Sequence, residues 1–243
     1  MSKREVVGAA IQAIGEICQK SGYSQVKTGH EPETFLFSRE EEHYICSFSC
    51  SFSGRGEYSI SNRMTIVYKA LNDVMLKLMR GTAYERNYNF EKPYEMGWHK
   101  RENGGLIGVG ITTNFDGPIL YIASVDESRD FALKFHEQLM EVERNFILPA
   151  KNIENTIAGF MKKRHWTWPG LLPSFIEHLV AYGLSTSNSE MIDYAFKKGE
   201  EVLTYLKNPI MYSECVDFMK TVKERLANCP VQTSNTGIPP ARK

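Results

Sequence analysis

The stretch "CSFSCSFSGRGEYSI", residues 46–60, decides how the chain is read. Two thiols, a run of serines and a Gly-Arg-Gly would suit a nucleophile, a metal clip or a phosphate loop. Strand geometry gives another reading. Side chains on a strand alternate between faces. One face then holds Tyr44, Cys46, Phe48, Cys50 and Phe52, and the other holds Ile45, Ser47, Ser49, Ser51 and Ser53. Both cysteines fall among aromatics, where a free thiol packs as a small hydrophobe. Four residues of strand separate them by roughly 13 Å, too far to bridge or to share an ion. The glycines suit a hairpin turn. A phosphate-binding loop needs a Gly-Lys-Ser/Thr ending and a following helix, and neither is present. The stretch therefore reads as strand, turn and strand. What lies over its serine face is the question it leaves.

Working outward, "TFLFSR", "HYICSFSCSF" and "YSISN" are strand candidates, with Glu40, Glu41 and Glu42 as an acidic turn between the first two. Before them, Val7, Ile11, Ile14 and Cys18 form one apolar stripe on a helix that stops at Gly22. After them, Met64, Val67, Tyr68, Leu71, Val74, Met75 and Leu78 keep a helical face that ends at Gly81. "GGLIGVGITT" and "GPILYIASV" predict two more strands around a turn at 114–118. Ser124 and Glu127 have capping-box spacing. The helix after them carries Phe131, Phe135, Leu139, Val142 and Phe146 and is expected to stop before Pro149. Beyond Pro149 only helical patterns occur. Ile153, Ile157, Phe160 and Met161 share a face. Pro173 opens a further helix with Gly183 past its end. Met191 to Leu206 and Cys215 to Leu226 mark two more. The expected class is α+β: an antiparallel sheet with helices packed on one face, followed by a C-terminal all-helical annex. The expected boundaries are 1–148 for the α+β domain, 149–229 for the annex and 230–243 for a tail.

Composition narrows the function classes. The 243 residues carry 29 Lys plus Arg against 29 Asp plus Glu. A dedicated nucleic-acid binder is usually clearly basic, so nucleic acid is not the expected partner. Five cysteines without a Cys-x-x-Cys read as reduced thiols of a cytoplasmic protein. Gln12, Glu16 and Gln19 interrupt the apolar run near the start, which makes it an amphipathic helix rather than a signal peptide. No run approaches about 18 apolar residues, so no membrane partner is expected.

Chemistry-bearing patterns are few. "GGLIGVG" continues as a strand instead of opening a helix, unlike a dinucleotide loop. His30, His43, His99, His136, His165 and His178 form no metal-ligand spacing. No catalytic, cofactor or metal residue is assigned. Lys162 to Trp168, "KKRHWTW", mixes cations and aromatics, which suits base stacking but equally suits a helix C-terminus followed by packed tryptophans. The acidic set Glu31, Glu33, Glu40, Glu41 and Glu42 reads as a solvated turn, or as a surface that meets a basic partner.

Three features carry a family resemblance: "KSGYSQ" before the strands "TFLFSR" and "HYICSFSCSF"; the strand "YSISNRMTIVY"; and the late helix "SRDFALKFHEQLMEVERNFILPAKNIENTIAGF". Over roughly residues 5–165 the chain resembles uncharacterised bacterial α+β domains of unknown function, some of them suspected toxin-immunity proteins. It departs from that pattern in "LYIASVDESRD", which lacks a tryptophan at the entry to the late helix. The resemblance transfers no functional residue. It implies a non-enzymatic, cytoplasmic protein-binding domain that blocks a toxin's active site. On that reading Glu40, Glu41 and Glu42 face a basic cleft, and Tyr88, Tyr94 and Trp98 anchor the partner. The alternative is an enzyme whose thiol or Ser/His site assembles only in three dimensions, with Cys46, His99 and the serine face as candidates. A nucleic-acid role through Lys162 to Trp168 is the third reading.

Overall fold

The computed structural model describes residues 2–26, 34–85, 110–115, 117–162 and 172–228. They fall into two compact units, Met1–Ile66 with Ile111–Ile153, and Val67–Gly110 with Glu154–Lys243. Each unit draws on two separate stretches of chain. The sequence reading places 67–110 with the first 148 residues, whereas helix α2 (Lys69–Met79) groups with the C-terminal helices. The tail 230–243 lies outside the described residues.

In the first unit, α1 (Lys3–Cys18) begins at a reciprocal cap of Ser2 and Glu5. It buries Val7, Ile11, Ile14 and Cys18, the stripe its spacing predicts. Gly22, at φ 82°, ends the short 3-10 turn Gln19–Ser21 that follows. The strands are β1 (Ser24–Val26), β2 (Thr34–Glu40), β3 (Tyr44–Arg55), β4 (Glu57–Tyr68), β5 (Gly110–Asn114) and β6 (Tyr121–Ile122). They lie in the order β1-β2-β3-β4-β5, and β6 also pairs with β4. The pairs β1/β2, β2/β3 and β4/β6 are antiparallel, and Phe37 sits opposite Phe48. The fold is α+β, as the alternation and grouping of elements predict.

Gly-Arg-Gly is the β3–β4 turn. Gly54 has φ 126°, and a Cβ there would lie 2.2 Å from the Glu57 carbonyl oxygen, so the turn requires glycine. Cys46, Phe48, Cys50 and Phe52 are all buried. The Phe48 ring stacks on Phe37 at 4.8 Å, and packs against Tyr23 at 5.0 Å and against Phe135 of α3 (Ser128–Val142) at 5.4 Å. The serine face is covered only in part: Ser47, Ser49 and Thr65 are buried, Ser51 is half-buried and Ser53 is exposed.

Four local expectations change. Met64 and Val67 belong to β4, not to a helix; Thr65, Ile66 and Val67 are β-branched and suit the pleat, and the same apolar run satisfies either period. Gly183 lies inside α6 (Leu172–Ser185). A Cβ there would come within 2.6 Å of Ile192 and 2.9 Å of the Asn188 carbonyl oxygen, so this glycine permits close packing of α7 (Ser189–Leu203). Ser124 makes no side-chain cap bond; Glu127 instead accepts from the Ala123 N–H at 2.9 Å, ahead of a 3-10 turn.

The fourth change matters most. The late helix does not stop before Pro149. It passes without a break through a π turn, Glu143–Ile147, into α4 (Leu148–Ala150), whose second residue is Pro149. The buried positions record the inserted residue: Phe135, Leu139 and Val142 step by four and three, then Ile147 follows by five and Ala150 by three.

The second unit is helical: α2, α5 (Ile153–Lys162), α6, α7 and α8 (Pro209–Asn228). Tyr68 Oη lies 3.0 Å from Thr156 Oγ1, and Arg225 Nε donates to the Leu78 carbonyl at 2.9 Å, tying the first stretch of this unit to the last. No described helix is long and apolar enough to cross a membrane.

Candidate functional site

The acidic turn closes the β2–β3 hairpin. Glu40 pairs with Ile45, and the Glu41 N–H donates to the Tyr44 carbonyl at 2.9 Å. The three glutamates, equivalent in sequence, have different fates. Glu40 is exposed. The Glu42 side chain is 86% exposed, with His43 Nε2 3.8 Å away. Glu41 turns inward: its carboxylate accepts from Lys151 Nζ at 2.8 and 3.2 Å and meets Arg39 Nη2 at 3.1 Å.

Arg39 is the hub. Its Nη1 donates to the Ser21 carbonyl at 3.0 Å and lies 2.9 Å from Glu143 Oε1, while Nη2 donates to Glu143 Oε2 at 3.2 Å. Its guanidinium lies over the Tyr23 ring at 4.7 Å, and the Tyr23 hydroxyl donates to Glu143 at 2.5 Å. Lys151, just past α4, lies 5.0 Å over the Tyr44 ring. The π turn thus supplies Glu143 and the chain after it supplies Lys151. Together they clamp the hairpin to the end of the late helix.

The electrostatics follow from this packing. Burial alone would raise the Glu41 carboxyl, but the Lys151 ammonium and then the Arg39 guanidinium overcome it and hold it below the usual carboxylate value. Burial works against the Lys151 charge, and Glu41 and Tyr44 reverse that and raise it. Burial and the bond to Glu143 push the Tyr23 phenol up. Glu41 is therefore neutralised internally, whereas Glu42 stands out in solvent beside His43.

Cys46 lies near this network but is no activated nucleophile. Burial pushes its thiol up to about 11, against the opposing pull of Arg39. A reactive cysteine needs a depressed value and access. Burial likewise raises Cys18 to about 12 and Cys215 to about 11. In the second unit, His178 on α6 is buried, and its Nε2 lies 2.7 Å from the Gly110 carbonyl, which fixes the proton on that nitrogen. Among the described residues no group of three or more His, Cys, Asp or Glu could hold a metal ion.

Tyr88, Tyr94, Trp98, His99 and the segment 163–168 lie outside the described residues. Among those described, the exposed tyrosines are elsewhere: Tyr121 on β6, and Tyr205 and Tyr212 at the α7–α8 corner. The sequence reading missed the clamp because Glu41 and Lys151 are 110 residues apart. Comparison with family models, curated proteins and solved structures found no match.

Proposed function

We propose that the chain is a non-enzymatic protein-binding domain whose acidic β2–β3 turn docks on a basic surface of another protein. A bacterial toxin with a basic active-site cleft is the partner class that fits, which makes the chain a cytoplasmic immunity protein acting by occlusion. The clamp on Glu41 supports this reading. Two internal cations fix the middle glutamate, so Glu40 and Glu42 are presented by a turn that is already ordered. A preorganised turn has little conformational entropy left to lose on binding. Charges at its rim steer encounter with a cationic cleft.

The test is recovery of a partner from the native host with the tagged chain, together with rescue of a neighbouring toxin's lethality. The double reversal Glu40→Lys/Glu42→Lys is expected to slow association about tenfold and to flatten its salt dependence. Failure to recover any partner, with no rescue, refutes the reading.

A further inference from the structure

We draw no further inference here: the strongest candidate, the open end of the serine-lined outer face of the sheet, where Ser53, Ser59 and Tyr121 lie side by side across β3, β4 and β6, is an unpartnered sheet face, and nothing among the described residues shows what covers it.

Discussion

Replacing Arg39 by methionine tests whether the clamp organises the first unit. The stem volume is kept and the guanidinium is lost. Glu143, whose side chain is 13% exposed, would retain only the Tyr23 hydroxyl. The Ser21 carbonyl would lose its donor, and Glu41 would keep Lys151 and Tyr44. Removing one partner of a fully buried pair costs about 3–5 kcal/mol. Arg39 is 18% exposed, so solvent screening lowers the expectation to ~2–3 kcal/mol. The assay is urea unfolding by circular dichroism, with amide exchange at β2 and β3 showing that the first unit responds. Glu143→Gln completes a double-mutant cycle, and a coupling of ~1–2 kcal/mol is expected. A loss below ~0.5 kcal/mol, or strict additivity with Glu143→Gln, would show that the contacts of Arg39 do not hold the hairpin to the helix.

Other outcomes are sharp enough to measure. Glu41→Gln should cost ~0.5–1 kcal/mol at neutral pH. The folded Glu41 carboxyl is held below 4.5, so its contribution is full above that value and fades as pH falls through the folded one; Lys151 is held above 10.5, so its contribution is full below that value and fades as pH rises through the folded one. Thermal midpoints of the native chain and the variant should therefore converge in acid. Gly54→Ala places a Cβ against the Glu57 carbonyl at a positive φ and should cost ~2–4 kcal/mol, read as a lowered urea midpoint, whereas Gly8→Ala, with open space around it, should be neutral or slightly stabilising. In a Cys229→Ser background, Cys18, Cys46, Cys50 and Cys215 should react with a thiol reagent only on unfolding, since all four are buried; fast labelling of Cys46 in the folded chain would revive a thiol site.

Much of the fold is legible in the sequence because its signals are local. Alternation in Cys46, Phe48, Cys50 and Phe52 names the core face of β3 without any knowledge of the rest. Val7, Ile11, Ile14 and Cys18 do the same for α1. The serine face shows the limit of that logic: alternation identifies Ser47 and Ser49 as the second face but carries no information on what lies above them. Met64 to Tyr68 fail for another reason, since an unbroken apolar run fits both periods and the sheet decides. The glutamates of the turn look identical in sequence. Arg39 and Lys151, the latter distant in the chain, separate Glu41 from its neighbours. The site is less legible than the fold because ion pairs close over long loops, whereas periodicity is written within a few residues.

The π turn has one more consequence, for the length of the chain. A turn that already closes one residue late can lose a residue and become ordinary α-helix, leaving Ile147 and Leu148 on their present sides. The same loss anywhere in Ser128–Val142 would swing every later side chain by roughly 100°. Glu143–Ile147 is thus an expansion joint, the one described place on this helix where a single-residue deletion leaves the faces beyond it in register.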